Sequence, residues 1–448
     1  MNYLQELDLK NIWHPCSQMK DYENFPPIII ESGEGIYLKD IDGKTYIDAI
    51  SSWWVNLFGH NNKRLNNSIK NQLDKLEHVI FSNFSHKPAI ELSEKILEVS
   101  PKGLAKIFFG DNGSSAVEIS LKLSFQYHKQ MGFHKKTKFI SLKDGYHGET
   151  LGALSVSKTP LYSKVYNEIL LNTIEVESPD CFRCKYSKHR DSCDVECFSK
   201  MENEIEKNHE NITAVIIEPM VQCASGMKIY PKKYLTKLRE ITKLYNINLI
   251  ADEIAVGFGR TGKFFGVDHA KITPDIMCVS KGLTGGYLPL SLVITTNEIY
   301  NAFYDDYEKL KSFLHSHSYS GNPLACSVAV ETLNIFKEDK VLENLKHKSK
   351  YLNQKVHEYF EGLEFVGEIR SIGMICAIEL VRNKNNKSPF KFENRVGYNI
   401  YKTALKNSLL LRPLGDVLYF MPPYTITNSQ INEMVRIAKN SYDEFFKK

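Results

Sequence analysis

The chain has 448 residues, 42% hydrophobic and 25% charged, too long for one small core and rich enough in apolar residues for a sizeable one. Its 57 basic and 53 acidic side chains leave a net charge of +4, with no basic arm or acidic tail, so charge gives no reason to expect nucleic acid or an anionic membrane as partner. No run of eighteen apolar residues predicts a membrane span and no basic-then-apolar start predicts a secretory signal. A cytoplasmic protein with mostly reduced thiols among its nine cysteines is the expectation.

The first 64 residues open a small lobe. Gly35–Ile41 and Lys44–Asp48 flank Asp42-Gly43, and Asp-Gly between two alternating runs predicts a tight hairpin turn with positive φ. From residue 65 to 339 the pattern becomes short apolar runs separated by helical stretches. The runs are Ala105–Phe109, Lys138–Leu142, Thr213–Ile217, Ile247–Ala251, Asp275–Val279 and Leu290–Thr295; the helices include Ser115–Gln130, Tyr234–Tyr245 and Pro323–Phe336. This alternation predicts an α/β domain whose mainly parallel sheet is covered on both faces, with sites on the loops beyond the strands' carboxyl ends. Residues 178–207 interrupt it as an irregular, cysteine-rich insertion. Residues 340–448 carry a last set of elements, among them Met374–Val381 and Ile431–Phe445, which joins the N-terminal lobe as the smaller domain.

Three loops carry chemistry. Gly110-Asp111-Asn112-Gly113-Ser114-Ser115 follows one run and opens a helix, so its backbone N–H groups and the Ser114 hydroxyl suit a phosphate; alone, a plain helix cap is the better reading. Asp144-Gly145-Tyr146-His147-Gly148 follows the next run and offers Tyr146 to stack on a flat ring, or simply to plug a core edge. The run ending at Ala251 is capped by Asp252, and the run ending at Val279 by Ser280-Lys281-Gly282. Either residue alone reads as a turn cap or a solvated strand end. If the two strands lie close in the sheet, they deliver to one edge the pair that pyridoxal 5'-phosphate needs: Lys281 to hold the cofactor as a Schiff base and move protons, Asp252 to keep the ring nitrogen protonated.

These motifs resemble the class III aminotransferases of PLP fold type I. The resemblance runs through Asp252-Glu253, Gly257-Phe258-Gly259-Arg260-Thr261-Gly262, Ser280-Lys281-Gly282 and His317-Ser318-Tyr319-Ser320-Gly321-Asn322-Pro323. Within the class, Ile12-Trp13-His14-Pro15, Ser51-Ser52-Trp53-Trp54, Arg412-Pro413-Leu414-Gly415 and Met421-Pro422-Pro423-Tyr424 are similar to members acting on 8-amino-7-oxononanoate in biotin biosynthesis. The resemblance implies that Trp53 lines the substrate pocket and that Arg412 pairs with a substrate carboxylate, for which its planar fork is suited. It also implies a homodimer in which His317 and Ser318 reach the phosphate held by the other subunit, with Ser316 at the substrate.

S-adenosylmethionine is the expected amino donor. Lysine on the same acceptor is the alternative, since the loop His315-Ser316-His317-Ser318 departs from the pattern of the former and is closer to members that use lysine. Separately, Cys16 stands in the pocket where an aromatic is usual. An ω-aminotransferase acting on ornithine, 4-aminobutyrate or a diamine is a further alternative, against which Trp53-Trp54 and Arg412 speak. No metal is expected at the catalytic site. Cys181, Cys184, Cys193 and Cys197 have a spacing at which four thiols can bind zinc or an iron–sulfur cluster; free thiols are the plainer reading.

Overall fold

The computed structural model describes residues 2–447. Seven strands form the central sheet: β1 (Leu104–Gly110), β2 (Lys138–Leu142), β3 (Ile174–Val176), β4 (Ile212–Ile217), β5 (Asn248–Asp252), β6 (Ile276–Val279) and β7 (Ser291–Thr296). Their order is β1-β7-β6-β5-β4-β2-β3. All run parallel except β7, which is antiparallel to both β6 and β1. Every residue of β4, β5 and β6 is buried, as strands covered on both faces must be. Successive side chains of β5 feed opposite cores: Ile250 joins Val117, Ile276 and Val293, while Leu249 and Ala251 join the larger cluster with Val215 and Met277.

The helix expected from Ser115 starts two residues earlier, at Gly113, because the Asn112 side chain accepts from the Ser115 amide at 3.0 Å and caps it. A four-stranded sheet draws Ile30–Glu34, Tyr37–Asp40 and Thr45–Asp48 from the chain's beginning and Leu409–Leu410 from its end, the last pairing parallel with Thr45–Asp48. The Asp42-Gly43 turn is present, but only Gly43 takes positive φ (85°). Asp40 holds the loop by accepting from the amides of Asp42 and Lys44 at 3.1 and 2.8 Å. A three-stranded antiparallel sheet (Val366–Ile372, Ile375–Leu380, Val417–Phe420) completes the C-terminal part. Among the described residues no helix is long and apolar enough to cross a membrane.

The insertion is tethered rather than free. Arg183 bonds Glu379, Asp180 and Asp144 share Lys228 at 3.4 and 2.8 Å, and Cys181, Cys184, Cys193 and Cys197 line one small cavity of about 240 Å³. Burial and the neighbouring thiols push Cys181 up to about 12 and Cys197 up to about 11. No three Cys, His, Asp or Glu side chains among the described residues stand close enough to share a metal ion, so the tetrahedral set that the spacing allowed is not assembled.

Candidate active site

The carboxyl ends of β5 and β6 open on a cleft of about 1580 Å³. Register explains the first pairing: Asp252 stands opposite Cys278 on the adjacent parallel strand, and Lys281 follows three residues later, so both reach the same edge. Asp252 is buried and doubly held. Its Oδ2 lies 2.7 Å from His147 Nδ1, and its Oδ1 accepts from the Ile254 amide at 3.1 Å. His147 is itself fixed, its amide donating to Ser157 Oγ at 2.8 Å.

Lys281 faces the cleft but is otherwise enclosed by protein, and this burial pulls its amine below the usual lysine range. No hydrogen bond among the described residues holds its Nζ, which lies 4.4 Å from the centre of the Trp54 ring. The backbone at Lys281 is left-handed (φ 45°), a strained state for a residue with a side chain. A lysine that loses its proton readily and has no fixed partner is available as a nucleophile.

The phosphate-ready loop arrives from β1. Asn112, Gly113 and Ser114 line the cleft, and the first amides of their helix have no carbonyl within it to pair with. Ser114 Oγ accepts from the Glu149 amide at 2.9 Å, leaving its own proton free to donate. Gly148 is glycine for a reason visible here: φ is +122°, and a Cβ would lie 1.9 Å from Ser114 Oγ. Three unlike ends thus converge, a buried carboxylate, a free amine and a helix start with a hydroxyl. That donor set fits pyridoxal phosphate, whose ring nitrogen, aldehyde and phosphate need those three partners.

Beyond this floor lie the remaining expected residues. Tyr146 lines the cleft, its hydroxyl donating to Glu149 Oε1 at 2.9 Å and its ring centre 5.6 Å from that of Tyr162. Cys16 Sγ is 3.7 Å from the same carboxylate oxygen, and burial together with the Glu149 charge pushes its thiol up. Arg412 also lines the cleft, its guanidinium 3.9 Å from the Trp53 ring centre.

Both tryptophans matter, in different ways. Trp53 is 39% exposed to the cleft; Trp54 is 3% exposed, carries Lys281 on its face and donates from Nε1 to Tyr419 Oη at 2.9 Å. They stand on Ser51–Trp54, where four successive residues have positive φ (51°, 45°, 71° and 74°). A left-handed turn costs roughly 1–2 kcal/mol per residue, so the surroundings must impose it.

The structure does not bring Ser316, His317 and Ser318 to the cleft of their own chain; none of them lines it. His317 Nε2 is buried without a hydrogen-bond partner, 3.9 Å from Asp111 Oδ1 beside the phosphate-ready loop. Sequence reasoning also missed His147 and Trp54, each adjacent in the chain to a residue it did single out. It missed Glu218 too, whose carboxyl accepts from the amides of Tyr146 and Cys223 and which burial pushes up to about 7.

Three comparisons place this geometry. The family model described as aminotransferase class-III matches residues 17–441. The chain is 41% identical to the adenosylmethionine-8-amino-7-oxononanoate aminotransferase of Geobacter sulfurreducens, over 96% of this chain and 95% of that one. It is 43% identical to the Helicobacter pylori protein of the same name, over 99% and 98%. Among solved structures, the Methanocaldococcus jannaschii protein of that name superposes with a TM-score of 0.93 at 39% identity, covering 98% of both chains. An omega transaminase from Pseudomonas jessenii in complex with PMP superposes at 0.94 with 31% identity, covering 100% of this chain and 99% of that one.

Proposed function

The chain belongs to the class III aminotransferases, and from that premise we propose that it aminates 8-amino-7-oxononanoate to 7,8-diaminononanoate in biotin biosynthesis, with S-adenosylmethionine as donor. The observation that carries the proposal is the joining of one cleft floor, Asp252, Lys281 and the Gly113-Ser114 helix start, to a wall made of Trp53 and Arg412. Proteins alike over their whole length and named for this reaction supply the substrate pair.

Pyridoxal phosphate, when bound, supplies an aldehyde that carries the amino group and a ring that accepts electrons. The chain's own residues do the rest. Asp252, kept in place by His147 and the Ile254 amide, presents an anionic oxygen that would keep a ring nitrogen protonated. The amides of Gly113 and Ser114 and the Ser114 hydroxyl would hold the phosphate, and Tyr146 would cover the ring. Lys281, its basicity lowered by burial, would take a proton from the donor's reacting carbon and return one to the acceptor's former carbonyl carbon. Arg412 would bind a substrate carboxylate as a fork, with Trp53 stacked beneath to hold the fork flat.

We further propose a cytoplasmic homodimer with residues 1–64 and 340–448 as its small domain and 65–339 as its large one. Supporting this, Tyr307, Leu310, Leu314 and Tyr319 are strongly exposed apolar side chains on one segment, which also carries the His317 Nε2 that has no hydrogen-bond partner. In a dimer, His317 and Ser318 would reach the phosphate of the opposite cleft and Ser316 the substrate. The test is to offer S-adenosylmethionine and lysine separately to the holoenzyme and follow the cofactor's absorbance to its amine form, then add 8-amino-7-oxononanoate and detect the diamine. Conversion by lysine alone would move the donor assignment to lysine. No diamine with either donor would refute the acceptor.

A further inference from the structure

Trp53 and Trp54 stand on a backbone turn that their own sequence disfavours, so something must hold it. We propose that Asp48, backed by His60, is a positioning residue that imposes the left-handed Ser51–Trp54 turn and thereby sets the substrate wall. This rests on the acceptor reading given above and adds to it a residue that lines no part of the cleft.

The observations converge on one buried carboxylate. Asp48 ends the strand Thr45–Asp48 and has no exposed surface. Its Oδ1 accepts from the amides of Ile50 at 3.2 Å and Ser52 at 2.9 Å, and its Oδ2 from Ser52 Oγ at 2.7 Å. Two of these bonds thus grip Ser52 within the turn and one the Ile50 amide just before it, and Ser51 Oγ adds a further tie by donating to the Met421 carbonyl at 2.7 Å. Arg260 fastens the far end, donating to the carbonyls of Trp54 at 3.3 Å and Asn56 at 3.1 Å.

His60 keeps Asp48 from rotating. Its Nε2 lies 3.0 Å from Asp48 Oδ2, and its Nδ1 lies 3.1 Å from Asn56 Nδ2. Since an amide nitrogen only donates, Nδ1 accepts and Nε2 carries the proton to Asp48. The imidazole is itself clamped by the N-terminal hairpin. His60 exchanges both backbone bonds with Gly35 at 3.1 and 2.7 Å, and a Cβ on Gly33 would come within 2.8 Å of His60 Cβ. The chain of support runs from hairpin to imidazole, to carboxylate, to turn, to indole.

The two indoles do not depend equally on it. Trp54 has its own tie to Tyr419, whereas Trp53 has Arg412 across its ring and stands open to the cleft. Loosening the turn therefore displaces Trp53 and Arg412 first, and the loss falls on substrate binding ahead of the chemical step.

The test uses Asp48→Asn, Ser52→Ala and His60→Gln as holoenzymes, the last two being milder should Asp48→Asn fold poorly. The expected result is a KM for 8-amino-7-oxononanoate raised at least about tenfold in Asp48→Asn and less in the other two, with kcat kept within about threefold and the cofactor's absorbance unchanged. A fall in melting temperature with KM unchanged would overturn the proposal, because it would make Asp48 merely structural. So would a loss confined to kcat. If the unaltered enzyme ignored 8-amino-7-oxononanoate, the acceptor reading would fail by itself. The tryptophan bands of the near-ultraviolet circular dichroism then read the turn without substrate, since Trp13 is exposed and only the Trp53-Trp54 pair is fixed in the fold. Bands unchanged in all three variants would overturn the proposal whatever the substrate.

Discussion

Replacing Gly148 by alanine should weaken cofactor binding through its phosphate alone. The backbone there has φ +122°, a conformation that costs a residue with a side chain of order 1–3 kcal/mol. The new Cβ would lie 1.9 Å from Ser114 Oγ, 2.9 Å from its Cβ and 3.1 Å from its Cα, so turning the hydroxyl aside is not enough and the helix start must shift. That shift breaks the 2.9 Å bond from the Glu149 amide to Ser114 Oγ, worth about 1 kcal/mol. Strain and lost bond together come to roughly 2–4 kcal/mol, which is about 30- to 1000-fold in affinity if the cradle bears it. The assay is an absorbance titration of cofactor-free protein with pyridoxal phosphate and, separately, with pyridoxal. Affinity for the phosphorylated form should fall by that factor and affinity for pyridoxal should barely move. An equal loss for both, or no loss for either, would refute the assignment of this helix start to the phosphate.

Three further outcomes follow from the same geometry. Lys281→Ala should lower turnover by at least about 10²–10⁴-fold, the range a positioned proton-transfer group contributes, and added methylamine should restore part of it; steady-state rates check this. Arg412→Lys keeps the charge but loses the fork and the stacking on Trp53, so the KM for the acceptor should rise about 10- to 100-fold, the equivalent of one charged hydrogen bond. Glu218 holds its proton in the fold up to about pH 7, whereas the unfolded chain releases it near 4.5. Between those values the unfolded state binds fewer protons, so wild-type stability should fall relative to Glu218→Gln as pH rises from about 4.5 to 7, by no more than about 3 kcal/mol, and the difference should be flat above. Urea melts of cofactor-free protein at several pH values give the curve. A difference growing in the opposite direction would show that Glu218 is ionised in the fold.

Much of this protein is written locally. Six of the seven central strands announce themselves as apolar runs with boundaries within one residue of expectation, because strand ends depend on near neighbours. The three-residue strand Ile174–Val176 gave no such run, and the helices starting at Gly113, Lys232 and Asn428 begin two or three residues before expectation. Asp252 and Lys281 were each legible as the cap of an apolar run, and the structure supplied what their pairing needed by placing the two strands side by side. The one antiparallel member, β7, was not visible that way, because an apolar run has no sign for direction.

What only the tertiary structure decided is which side chains meet across long stretches of chain. His147 reaches Asp252 over 105 residues, Tyr419 reaches Trp54 over 365, and Met421 holds Ser51 over 370. Such contacts exist only once the sheet has closed, and no periodicity encodes them. The Trp53-Trp54 pair shows the division. The sequence by itself showed two adjacent indoles, and the family resemblance pointed to the first, Trp53, as a pocket residue. That they stand on a left-handed turn, one facing the cleft and one beneath Lys281, was decided by packing, which alone can hold a backbone where its own residues would not go.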